Sequence, residues 1–185
     1  MKDFSTELEY SLFKITLSKP IQREIIIRAL DTVLLNEDYL LAQAFNPELV
    51  LNATHLKSAI FHAIQGKNQN NLISNSLSVE FIVYLSTQRQ IKKAFDLFGV
   101  EKEVSIVHIL ILYKTQITKS KTLDMMKDLF PDLKLEISEW HIKYDQKNND
   151  KIIQALLLPQ TKENFTENEI ENSILNKIAL LAINH

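Results

Sequence analysis

The side chains able to do chemistry in this chain are sparse: five histidines, no cysteine and only two glycines in 185 residues. One polar run stands between two apolar segments, Ser86-Thr87-Gln88-Arg89-Gln90, followed closely by Lys92 and Lys93. It opens an amphipathic segment, Gln88–Phe98, in which Ile91, Phe95 and Phe98 recur at helical spacing. Cations over the first turn of a helix, where backbone amides lack partners, make a place for a phosphate. From the residues alone the same three cations, Arg89, Lys92 and Lys93, read more simply as a solvated helix face. Gln88 and Gln90 have the groups to meet a base or a sugar, but exposed glutamines usually bind nothing. Asn75 and Ser76 precede another apolar run and are more simply helix caps than ligand contacts. Glu80, within that run, reads as a structural acceptor for Arg89 or a backbone amide, because general acid–base work needs a partner group that the sequence does not supply.

The histidines offer no metal spacing. His55 and His62 are seven apart, whereas two ligands on one helix want i and i+4; they read as a polar helix edge. His108, in an apolar strand, reads as a hydrogen-bonded core residue. Lys114, Lys119, Lys121 and Lys127 make a locally basic stretch that is either solubilising or tracks a nucleic-acid backbone. Aromatic platforms for an unpaired base are few, with Tyr84 and Trp140 the candidates.

Elements must position these groups. Leu12–Leu17 alternates as a strand. Ser18 and Pro20 then read as the cap and first turn of a helix whose core side is Ile26, Leu30, Val33 and Leu34. A short strand near Leu40–Phe45 ends at Asn46-Pro47. Thr54 reads as the cap of a helix buried along Leu56, Ile60, Ala63 and Ile64, and Gly66–Asn71 as a mobile polar loop. Ser76–Leu85 suits a buried strand or a helix. Gly99 stands where a left-handed residue closes Gln88–Phe98. Ser105–Leu112 reads as a central strand, Lys121–Phe130 as a helix stopped by Pro131, Leu133–Ile137 as a strand and Asn148–Leu158 as a short helix. A polar loop follows at 159–166. Thr166 and Glu169 form a capping box ahead of a last helix carrying Ile170, Ile174, Ile178 and Leu181. Together these give one domain over 1–185, α/β in the α+β sense, with a small mixed or antiparallel sheet against several helices.

Composition sets the outer bounds. A 45% hydrophobic content over this length supports a core, and a net charge of −2 excludes a globally basic nucleic-acid binder. Lack of cysteine removes thiolate metal sites and a cysteine nucleophile. Isolated Gly66 and Gly99 exclude a phosphate-binding glycine loop. MKDFSTELEY has no apolar signal core and no segment reaches membrane-span length, so a soluble, cytoplasmic protein is expected, nuclear as well in a eukaryote.

Asn75, Ser76, Glu80, Ser86, Arg89, Gln90, Ile91, Ala94, Phe98 and Gly99 together form a signature. It resembles the tRNA-recruiting accessory subunits of the KEOPS complex, the p53-related-protein-kinase-binding protein family, in an archaeal-like version. His55, Leu56 and Ala59 after Val50, and Lys177-Ile178-Ala179-Leu180-Leu181 near the end, extend the resemblance. It implies that Ser76–Leu85 is a helix. It further implies a subunit without catalytic residues, cofactor or metal, a monomer within a larger assembly. Such a subunit binds the small kinase/ATPase subunit and grips the 3′ CCA end of tRNA, while another subunit adds threonylcarbamoyl beside the anticodon. The RNA contacts would then be Arg89, Gln90, Lys92 and Lys93, with Asn75 and Ser76. The partner contacts would be Ile174, Ile178, Leu181 and Ile183 on a last helix apolar on more than one stripe. Two other readings stay open: an interaction domain without RNA, and a small hydrolase or transferase using Glu80 with His55 or His62.

Overall fold

The computed structural model of the chain describes residues 7–131, 133–156, 158 and 165–183. Most of the polar loop expected at 159–166 lies outside the described residues. The fold is α+β, with an open sheet of four strands, every neighbouring pair antiparallel. The described residues group into two compact units. One holds those up to Phe45 and from Val100 to His141; the other holds Asn46–Gly99 and those from Ile142 onward.

The first unit is built from β1 (Leu8–Gln22), α1 (Arg23–Val33), β2 (Tyr39–Phe45), β3 (Glu103–Lys114), α5 (Lys119–Asp128) and β4 (Leu135–Glu139). The strand order β2-β3-β1-β4 is that of a ferredoxin-like βαββαβ motif. One face of the sheet is apolar through Phe13, Ile15, Leu17, Ile109 and Ile111. It is covered by Ile26, Leu30 and Val33 of α1 and by Met126 of α5. Ser11 and Tyr113 pair their hydroxyls at 2.8 Å within it, so the alternation that built the strands leaves no stranded polar group there.

Local chemistry misplaced the first helix. β1 runs on through Ser18 and Pro20, and the helix begins at Arg23 with no side-chain cap at Gln22. After an irregularity between Thr16 and Ile21 the pairing with β3 resumes at Ile21↔Val104 and Gln22↔Glu103. Proline fits the irregular stretch, which asks no ladder bond of it, and the resumed pairing outweighs the cap signal.

The second unit is helical: α2 (Ala53–Asn68), α3 (Leu77–Ser86), α4 (Ile91–Phe98), α6 (Asn149–Ala155) and α7 (Glu167–Ile183). Segment Leu77–Ser86, which periodicity left open, is a helix with every residue but Val79 buried. It lies against α2, α4 and α7, which explains why it shows no amphipathic signature. The capping box on α7 forms as expected, Thr166 N–H donating to Glu169 Oε2 at 2.9 Å.

Three other details differ from expectation. Asn52, not Thr54, caps α2, its Oδ1 accepting from His55 N–H at 3.1 Å. Gly66 is buried inside α2 rather than in a loop; a Cβ there would lie 3.1 Å from Asn71 O, while Asn70 takes the left-handed turn at φ 53°. Gly99 is extended at φ −69°. Its role is close approach, since a Cβ would fall 2.4 Å from Phe95 O. Left-handed geometry sits instead at Thr87, φ 56°.

Candidate functional site

The α3–α4 corner is pinned from beneath and open above. Ser86 Oγ donates to Val83 O at 2.9 Å and accepts from Gln88 N–H at 3.2 Å, turning the chain out of α3. Thr87 follows in the left-handed region, an unfavourable place for a β-branched residue. Its hydroxyl is buried and has no hydrogen-bond partner among the described residues. Ala94 and Phe98, both 0% exposed, anchor α4 to the interior. That burial turns the opposite side outward, where Arg89, Gln90, Ile91, Lys92 and Lys93 are all exposed. No side chain caps α4 at Gln90, and no acidic residue occupies its first turn. The corner thus presents cations beside uncapped helical amides, the arrangement that favours an anion.

Behind the corner lie two buried polar groups. Glu80, 0% exposed, accepts from Ile73 N–H at 3.1 Å, from Ser74 N–H at 2.9 Å and from Ser74 Oγ at 3.0 Å. It is a loop organiser holding backbone amides. Ser76 occupies the cap position of α3 without a side-chain bond, and its carbonyl lies 2.8 Å from Ser74 Oγ, whose one proton it shares with Glu80. Asn75 is exposed beside it. His55, expected at a polar helix edge, is instead 0% exposed. Its Nε2–H donates to Leu85 O at 2.9 Å and its Nδ1 accepts from Leu51 N–H at 3.3 Å. That pairing uses the neutral ring completely, and burial pushes its pKa down to about 4. Helical spacing carried no hint of this, because the partner carbonyl comes from a different helix.

His62 belongs to another feature. With Phe61, Gln65, Tyr84 and Ile183 it lines a cleft of ≈ 390 Å³ between α2, α3 and the end of α7. Its ring lies 5.6 Å from that of Tyr84. Burial lowers the His62 pKa, and burial with the nearby Glu80 charge pushes Tyr84 up to about 12, so both rings are neutral near pH 7. The rim is mixed: Phe61 is 50% and Ile183 76% exposed, and the polar Gln69 and Asn71 are exposed beside them. On α7, Ile174 and Ile178 are 0% exposed, Leu181 is half-buried, and Leu180 is 57% exposed. Phe61 was not singled out from the sequence. The available signal was an aromatic lying off the buried stripe Leu56, Ala59, Ile60, Ala63, since an apolar residue there faces water unless something covers it.

The first unit holds the remaining candidates. Lys114 pairs with Asp38 at 3.1 Å, Lys127 with Asp124 at 2.8 Å, and Lys119 with Glu139. Three of the four lysines after the central strand are therefore already matched by carboxylates. His108 is half-buried and stacks edgewise on Trp140, ring centres 4.9 Å apart. Among the described residues no three His, Asp or Glu converge as a metal site. None of the described helices is long and apolar enough to cross a membrane.

No curated protein sequence matches this chain at a significant level. A family model does: kinase binding protein CGI-121 aligns with residues 14–182, which takes in most of both units, the α3–α4 corner and the cleft lining except Ile183. With that match spanning nearly the whole sequence, the chain belongs to the kinase-binding CGI-121 family, the KEOPS accessory-subunit family that its Asn75–Gly99 signature resembles.

Proposed function

We propose that this protein is a non-catalytic KEOPS subunit that docks on the small kinase/ATPase subunit and recruits tRNA by its 3′ CCA end for threonylcarbamoyladenosine formation. The observation that carries the docking half is the pair of exposed apolar side chains, Phe61 and Ile183, at the mouth of a cleft with polar neighbours, in a chain of a kinase-binding family. Ile174 and Ile178 hold α7 from within the unit, leaving Leu181 and Ile183 at its end to meet a partner. An exposed aromatic beside aliphatic side chains is the composition expected at the centre of a protein interface. The tRNA half is supported by the Arg89–Lys93 corner, with Asn75 and Ser76 on the loop ahead of α3. Phosphates there would meet both cationic side chains and uncapped amides.

Co-elution with the cognate kinase subunit at micromolar concentration tests docking; Ile183→Glu and Phe61→Glu should each abolish it. Binding of tRNA with and without its CCA, over a salt series, tests recruitment. Trimming should cost most of the affinity, and Arg89→Glu with Lys92→Glu should flatten the salt slope. Equal, weak binding of both tRNAs would remove acceptor-end recruitment. A second reading, an interaction domain without RNA contact, draws support from the carboxylate partners of Lys114, Lys119 and Lys127, which thin the basic footprint.

A further inference from the structure

The sheet has a second face. By register it carries Leu12, Lys14 and Thr16 of β1, then Leu110, His108 and Ile106 of β3. Phe45 of β2 lies opposite His108, and Ser138 and Glu136 of β4 lie opposite Lys14 and Thr16. Trp140 extends β4 by one residue, its N–H donating to Leu12 O at 2.9 Å, which sends the indole to this same face. Leu12, Leu110 and Phe45 are buried, but Lys14, Thr16, His108 and Trp140 are half-exposed and Ile106 is 47% exposed.

We propose that this patch is a second contact for single-stranded RNA, in which an unpaired base stacks on the Trp140–His108 pair and Lys14 takes the adjoining phosphate. The indole is held in place by two edge-to-face neighbours, His108 at 4.9 Å and Phe45 at 6.3 Å. A ring fixed in this way stacks at little entropic cost. Neither the indole N–H nor the imidazole nitrogens have a protein hydrogen-bond partner among the described residues, so both remain available to a base edge or a sugar. Lys14 is likewise in none of the ion pairs of the described residues. Burial and the Lys14 charge lower the pKa of His108, which makes the imidazole a neutral surface and leaves Lys14 as the cation at neutral pH. Glu136, one row further along beside Thr16, repels phosphate and confines the anion to the Lys14 end. Glu139 points to the other face, where it pairs with Lys119. A fixed aromatic ring beside a cation, on an antiparallel four-stranded sheet, is the sequence-tolerant way of holding unpaired nucleotides.

The identity of the natural RNA rests on the tRNA reading above, but the site does not need it. Trp140 is the only tryptophan, so its emission reports this patch alone. The test titrates the full chain with an unstructured RNA hexamer and, separately, with tRNA followed by the anisotropy of a labelled 3′ end. The proposal expects saturable quenching by both RNAs. It also expects roughly a tenfold loss of hexamer affinity in Lys14→Glu, a surface change, and in Trp140→Ala read by anisotropy of a labelled hexamer. Arg89→Glu should leave hexamer quenching in place. Tight tRNA binding with unchanged emission, and no effect of Lys14→Glu, would overturn this patch and leave the corner standing. Quenching by the hexamer without tRNA binding would keep the patch and overturn acceptor-end recruitment.

Discussion

Lowering the pH should destabilise this protein through His55. The ring is fully buried, donates to Leu85 O and accepts from Leu51 N–H, so a second proton would cost the Leu51 bond and place a charge in the interior. Its pKa falls from 6.5 to about 4 on folding. Because the folded value is depressed, the unfolded chain takes up the proton first as pH falls. Stability is then complete above about pH 6.5 and drains away down to about pH 4. For a shift of this size linkage gives a loss of about 2 kcal/mol between pH 7 and pH 5, and about 3 kcal/mol over the whole window. His62 and His108 are also lowered and act in the same direction, so the parent protein alone would not isolate the effect. His55→Gln does. Its amide can donate to Leu85 O and accept from Leu51 N–H without titrating. Urea unfolding of both proteins at pH 7 and pH 5 should show the variant losing about 2 kcal/mol less than the parent. Equal losses in the two proteins would refute the buried, neutral assignment of His55.

Two further outcomes follow from the same unit. Glu80→Ala strands two amides at a site 0% exposed, while Ser74 Oγ keeps the Ser76 carbonyl, and should cost about 3–5 kcal/mol in urea unfolding with little change in m; a loss under about 1 kcal/mol would show that the loop is organised some other way. Thr87→Asn relieves a β-branched residue at φ 56° and should raise the unfolding midpoint by about 1 kcal/mol equivalent, whereas a fall in stability would mean that the threonine methyl packs to better effect than the strain costs.

Much of the scaffold was legible because its causes are local. Leu12–Leu17 alternates and forms a strand because one face is apolar, and the short apolar run Leu40–Phe45 forms another that ends at Asn46-Pro47. The Thr166–Glu169 box starts α7 where its own side chains satisfy the first free amides. The cations at Arg89, Lys92 and Lys93 emerge exposed because Ala94 and Phe98 bury the other side of α4; of the stripe Ile91, Phe95 and Phe98 that the spacing gave, only Phe98 is buried, and Ile91 is exposed. In each case the residues that decide the outcome lie within one or two turns of each other.

What tertiary structure alone decided involves partners distant in sequence. β1 continues through Pro20 because β3 resumes pairing with it more than eighty residues later, at Val104 and Glu103. His55 is a core residue because Leu85, on another helix, presents its carbonyl to the ring. Gly99 is needed for contact with Phe95 O rather than for left-handed freedom, while Thr87 carries the strain that the sequence assigned to glycine. The cleft at Phe61 and Ile183 exists because α2 and α7 meet, and the Trp140 patch because β4 lies beside β1. Residue types and near spacing determine which elements form and which faces can be charged. Which charged, aromatic and strained residues end up together depends on strand order and helix packing, and those are set by apolar burial summed over the whole chain.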